Sequence, residues 1–225
     1  MLEKLDFHAT DEEMFKLVGE RLQAHGLAQS GNSEAVQQML KALLQFPLAS
    51  GRKDFTLSRL SGSDRLNELE FYFPVQRVAP ARLNGLLGKQ GWSSAVPAQL
   101  DRLAFDPIQG FLKGFIDLVF RFEEKFYLVD WKSNWLGNRM EDYSPDAIKN
   151  EMRRQYYFVQ YHLYTVALHK YLALRVPAYD YDRHFGGVIY LFLRGLDPAH
   201  PEFGAYRDRP SRSAVNQLSA LLEGK

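Results

Sequence analysis

Two aspartates and a lysine near the centre of the chain have the types and spacing for phosphoryl chemistry: Asp117, Asp130 and Lys132. Asp117 lies in the apolar run 114–122 and the other two in the run 125–132, with Glu123-Glu124 between them. Two such runs around a short charged break predict an antiparallel hairpin. Glu-Glu lacks the Gly or Asn that a two-residue type I′ turn favours, so a four-residue loop from Phe122 to Lys125 is also open, and both options share one centre. Asp117 and Asp130 are equidistant from that centre and should oppose each other on one sheet face, their β-carbons roughly 4.5–5.5 Å apart. Lys132, two residues on, projects the same way. Ile116, Leu118 and Phe120 against Tyr127, Val129 and Trp131 make an apolar second face that should pack on a core.

Like charges directly opposite destabilise a sheet by about 0.2–1 kcal/mol, so something positive should sit between them. A divalent cation fits, and Mg²⁺ is commonly held by one or two carboxylates together with water and phosphate oxygens. Neutralisation by Lys132 alone, as an ion-pair network, fits as well, and the residue pattern leaves both open. The chain has no cysteine, which removes disulfides and thiolate sites and restricts any metal to oxygen or imidazole ligands. His162 and His169 lie seven apart on a predicted helix without an H-E-x-x-H pattern and read as packing or helix-surface residues. His184 reads as the start of a strand.

The elements that must position these groups follow from periodicity. The 225 residues, 46% apolar and 24% charged, suit a folded protein with a substantial core and exclude disordered and collagen-like classes. Thr10 to Glu13 is a capping box, followed by Met14, Leu17, Val18 and Leu22 at helical spacing up to Gly26. A second helix from about Ser33 carries Val36, Met39, Leu40, Leu43 and Leu44 until Pro47. Residues 67–73 look β-like, and 78–106 give no assignment. A single long helix is predicted from about Pro145 to about Leu174, with Ile148, Met152, Tyr156, Val159, Leu163 and Val166 facing the core. The run 186–193 predicts a buried strand, and the tail beyond Arg194 gives no reading. No run approaches the roughly 20 apolar residues of a membrane span, and no secretory signal is visible, so a cytoplasmic location is expected. The net charge of +1 gives no global electrostatic case for nucleic acid.

Gly114-Phe-Ile-Asp117 with Asp130-Trp-Lys132 resembles the PD-(D/E)xK nuclease motif, and its wording is similar to the RecB-type nuclease domain of exodeoxyribonuclease V. Further blocks match in order: 68–74, 112–120, 127–137, Gln160-Tyr-His-Leu-Tyr164, and 179–182 through 184–195. The resemblance covers nearly the whole chain. It implies an α/β fold with a restriction-endonuclease-like core, a mixed β-sheet flanked by helices, and a helical N-terminal part: about 1–50 for that part and about 64–200 for the core, in one nuclease domain. It implies Mg²⁺, or Mn²⁺, on Asp117, Asp130 and the Trp131 carbonyl, with Lys132 as motif lysine and Glu68 as a further acidic ligand. Glu70 fits that role less well and reads as a solvent-side strand residue. Gln160 and Tyr164 match a Q-x-x-x-Y element that helps position DNA, and Arg153 and Tyr157 extend its stripe. The implied activity is metal-dependent hydrolysis of single-stranded or unwound duplex DNA within a RecBCD-like repair complex, with RecC-like and RecD-like subunits and a RecA-like recombinase as partners. The alternative is a non-catalytic docking module for those partners.

The chain departs from that family in one respect. RecB-type nucleases carry a metal-binding histidine in a G-x-x-x-H setting just before the segment matched by residues 2–7, and this sequence does not include it; His8 lies past the matched segment. The expectation is a fragment of a longer helicase-nuclease chain with weakened Mg²⁺ binding and poor activity. No P-loop pattern is present in these residues.

Overall fold

A computed structural model describes residues 1–27, 31–75, 80–88 and 110–225. Helix α1 (Asp11–Ala24) begins at the predicted capping box: Thr10 Oγ1 accepts the Glu13 N–H and the Glu13 carboxylate accepts the Thr10 N–H. Met14, Val18 and Leu22 are its buried stripe, and Leu40, Leu43 and Leu44 are that of α2 (Asn32–Gln45). Strand β1 (Arg65–Val75) and helix α3 (Pro80–Leu87) precede β2 (Gly110–Phe122) and β3 (Lys125–Lys132). Then follow α4 (Pro145–Arg154), α5 (Tyr157–Arg175), α6 (Tyr181–His184) and β4 (Phe185–Phe192). The unread tail forms a short edge strand, β5 (Ala205–Asp208), and helix α7 (Arg212–Glu223), capped by Ser211.

The sheet runs β1-β2-β3-β4-β5. β1–β2, β2–β3 and β4–β5 pair antiparallel, whereas β3 and β4 are parallel and joined by the crossover through α4, α5 and α6. One apolar cluster joins Val119, Leu128, Tyr190 and Phe192 to the crossover helices and α7. On the opposite side Leu118, Phe120, Val129, Ile189 and Leu191 pack against Leu5, Met14, Val18, Leu40 and Leu43. This is the restriction-endonuclease-like α/β arrangement, a mixed sheet between helical layers. Among the described residues no helix is long and apolar enough to cross a membrane.

The hairpin uses the two-residue turn. Phe122 pairs with Lys125, and the register holds to Leu118 opposite Val129. Glu123 and Glu124 are both left-handed, at φ 48° and 63°, as a type I′ turn requires. The strain is held in place by Arg52, whose guanidinium donates to the Glu123 carboxylate at 2.7 Å and to Asp54 at 2.8 Å.

Two expectations are corrected. The helix expected over 145–174 is two helices, because Tyr156 adopts a left-handed conformation at φ 57°. No Gly or Pro marks the break. At the end of α4 the buried Glu151 carboxylate gathers Arg154, Gln155 and Asn134, which ties down its last turn. The second correction concerns the apolar hairpin face. Leu118 and Phe120 pack on a core as expected, the one they share with the N-terminal helices, but Ile116 is buried in the opposite cluster. Its partner strand switches too: Arg65 and Asn67 reach Leu5 and Glu3, whereas Phe71 and Phe73 pack on the other side. The switch falls at Glu68, left-handed at φ 51°, directly across from Asp117, and the β1–β2 register is the same on either side.

Candidate active site

The expected pairing of Asp117 directly opposite Asp130 is also corrected: the β2–β3 register ends at Leu118 opposite Val129, and the acidic groups approach where the sheet opens, near enough for the Asp117 charge to act on Asp130. Beyond the Leu118–Val129 pair, the Trp131 N–H is taken by the Asp117 carboxylate, Oδ2 accepting at 2.9 Å. Asp130 and Lys132 alternate on the α5 side of β3, and both are buried. Lys132 Nζ stands 2.6 Å from Asp130 Oδ2 and donates to Gln160 Oε1 at 3.0 Å. It also lies 3.7 Å from the centre of the Tyr157 ring and 5.0 Å from that of Tyr190, so two aromatic faces share the cation.

Gln160 is fixed on all sides. Its carbonyl also accepts from Tyr190 Oη at 3.0 Å, and its amide donates to Tyr164 Oη at 2.9 Å. The residues of the Q-x-x-x-Y spacing thus sit one turn apart beside Lys132, as expected. Tyr157 Oη donates to Asn134, and Asn134 in turn donates to Glu151 at 2.7 Å. The break before α5 leaves Arg153 off this stripe: its guanidinium donates to Asn150 and lies near Tyr206 on β5.

Electrostatics reflect the crowding. Burial raises the Asp117 carboxyl, opposed by the Trp131 N–H and the charge of Lys132. Burial pushes Asp130 up to about 6, with Lys132 lowering it and the Asp117 charge raising it further. Tyr164 is pushed up to about 12 by burial and by Asp130, and Tyr190 is raised well above its ordinary value for the same reasons. The two aspartates therefore act on each other and on the same tyrosines. Despite Lys132 at 2.6 Å, Asp130 Oδ2 has no donor in hydrogen-bond geometry.

Glu68 shares a cleft with Asp117 and is hydrogen-bonded to Glu3, a residue that nothing in the sequence selected. The two carboxyls share a hydrogen bond, which raises Glu68, and the nearby Asp117 charge raises it further. Glu3, Glu68, Asp117 and Trp131 line an open cleft of about 470 Å³ together with Met1, Ser133 and Leu193. Glu70 is exposed and pairs with Lys113 at 2.6 Å, in keeping with a solvent-side strand residue. His162 is buried with Nδ1 against the Phe158 carbonyl, and His184 ends α6 immediately before β4, both structural as expected.

The donor set suits a hard cation with few protein ligands. Two carboxylates lie close enough to act on each other, one of them paired with Lys132, a set that Mg²⁺ or Mn²⁺ would complete with water and phosphate. Among the described residues no group of three or more His, Cys, Asp or Glu side chains is placed to hold a metal.

No protein-family model matches the chain. It is 39% identical over its full length to the RecBCD enzyme subunit RecB of Escherichia coli, covering 18% of that subunit. Over 84% of the chain it is 40% identical to RecB of Haemophilus influenzae, covering 15% of it, and over 80% it is 35% identical to RecB of Mycolicibacterium smegmatis, covering 19%. The chain thus spans less than a fifth of the length of these relatives, in their C-terminal part. Matched along its whole length at 39% identity by a RecB subunit, the chain belongs to the RecB family and corresponds to its C-terminal nuclease domain.

Proposed function

We propose that this chain is a metal-dependent deoxyribonuclease module that hydrolyses phosphodiesters of unpaired DNA within a RecBCD-type repair and recombination complex. The observation that carries the reading is that Asp117 and the buried Asp130–Lys132 ion pair lie close enough at the opening between β2 and β3 for their charges to act on one another. Asp117, Asp130 and the Trp131 carbonyl would hold Mg²⁺ or Mn²⁺, with Glu68 acting from the cleft wall. When bound, the ion supplies charge for the scissile phosphate and lowers the pKa of a bound water. Lys132 is held by Asp130, Gln160 and the Tyr157 ring, so its amine can orient a water or offset negative charge on the phosphate without reorganising. Gln160, Tyr164 and Tyr157 fix that amine and flank the strand's path. RecC-like and RecD-like subunits are the partners that the relatives' name, subunit of a RecBCD enzyme, suggests, and a RecA-like recombinase is a further partner that the sequence resemblance implies.

The test is incubation with a single-stranded oligonucleotide and Mg²⁺ or Mn²⁺. Divalent-dependent products should form with the wild type and be absent with Asp130→Ala; identical products from both would refute the reading. Lys132→Ala should lower turnover by about a hundredfold or more while leaving DNA affinity nearly unchanged.

A further inference from the structure

We propose that Trp135 and Arg194 form a nucleotide subsite for an unpaired DNA strand, the indole stacking on a base and the guanidinium meeting a backbone phosphate. This deepens the nuclease reading and rests on it for the identity of the strand.

Trp135 is 63% exposed, an unusual state for the largest apolar side chain, three residues beyond Lys132. The segment bearing it is nonetheless held from several directions. Asn134 is bonded to Glu151 and Tyr157, the Leu136 N–H donates to Tyr143 Oη at 3.2 Å, and the indole Nε1 donates to Asn138 at 3.3 Å. Arg194 Nε donates to the Ser133 carbonyl at 3.1 Å, which joins the turn after β4 to the segment after β3. Gly195 makes that junction tight: a β-carbon there would lie 2.3 Å from the Tyr143 ring. An exposed indole held this firmly has lost its freedom before any ligand arrives, which lowers the cost of stacking on it.

The location fits a strand entering the active site. β3 and β4 are parallel and both end here, and ligands of such sheets bind beyond the carboxyl ends of the strands. Ser133 and Leu193, the chain neighbours of Asn134 and Arg194, line the same cleft as Asp117 and Glu68. Arg194 is exposed, and among the described residues no carboxylate pairs with it. With Nε committed to Ser133, the two terminal nitrogens of this exposed side chain are available to phosphate oxygens. An exposed aromatic face two residues from the carbonyl that anchors an exposed guanidinium offers the stacking and phosphate contacts that bind single strands without sequence preference, and paired bases inside a duplex offer no free face to it.

The test uses the full chain in EDTA, so that binding is read without cleavage, with a fluorescent oligothymidylate and a blunt hairpin duplex at low salt. Trp135→Ala should weaken oligothymidylate binding about 5- to 100-fold. Trp135→Phe should restore most of it, and duplex affinity should not change. Arg194→Ala should weaken the single strand and reduce the salt dependence by about one phosphate contact. Thermal unfolding of Trp135→Ala should match the wild type. Unchanged oligothymidylate affinity in Trp135→Ala, equal loss for single strand and duplex, or no single-strand binding by the wild type would overturn the proposal. So would retained DNA affinity with loss of binding to a partner subunit. Repeating the binding in Asp130→Ala separates the claims: stacking that survives there without any cleavage by the wild type would fault only the nuclease reading.

Discussion

At the scale of single residues, Asp130 bears the strongest mark of function. Its buried carboxyl is raised to about 6, whereas the same group in an unfolded chain titrates near 3.9. The folded state therefore binds the proton more tightly between about pH 4 and pH 6, so this group's contribution to stability falls as pH rises through that window. Asp130→Asn should remove the dependence. In urea melts at pH 4.5 and 7.5, the wild type should lose on the order of 2 kcal/mol relative to the variant at the higher pH. A constant difference between the two proteins would show that the carboxylate carries no burial cost. The same proton competes with a cation, so Mg²⁺ affinity should drop below about pH 6. Asp130 and Lys132 were legible because strand alternation puts them on one side of β3, and the symmetric turn brings Asp117 close to them; that Asp117 would accept the Trp131 N–H instead of pairing across the ladder was not. Glu3 was not, since it reaches Glu68 only through the packing of the N-terminal segment, which no local pattern encodes. The hold of Asn134 and Tyr143 on the Trp135 segment escaped for the same reason.

At the scale of elements, the hairpin turn is both strained and well supported. Glu124 occupies a left-handed conformation that costs a non-glycine residue about 1 kcal/mol or more, and its contact with Arg183 is long and exposed. Glu124→Gly should therefore raise unfolding stability by about 1 kcal/mol without changing DNA cleavage, as read in urea melts; a loss of stability would mean that the Glu124 side chain contributes more than its backbone costs. The hairpin's centre was readable because two apolar runs bracket one charged pair. The face switch at Glu68 and Asp117 was not, because alternation assumes an extended backbone and nothing in the residue types announces a left-handed glutamate. The break between α4 and α5 likewise has no Gly or Pro. It comes from side chains converging on Glu151, and it decides that Tyr157 reaches Lys132 while Arg153 turns towards β5. The edge strand β5 has only four residues, too few to show a period.

At the scale of the whole molecule, the N-terminal helices are part of the sheet's packing rather than an appendage. Leu40 and Leu43 share a core with Leu118, Val129 and Leu191. Leu40→Ala should cost about 2–5 kcal/mol and shift one cooperative transition, measured by circular dichroism in the far and near ultraviolet; a separate early transition would make residues 1–50 an independent unit. The balanced charge predicts modest affinity for DNA with a shallow salt dependence, so the substrate must be held by local contacts. The central claim is that the opening between β2 and β3 is a cation site. Anomalous scattering from a Mn²⁺-soaked crystal tests it most directly. A peak within coordination distance of both Asp117 and Asp130, absent from Asp130→Ala, is the predicted result. Asp130 still seated on Lys132, with manganese bound elsewhere or nowhere, would contradict it.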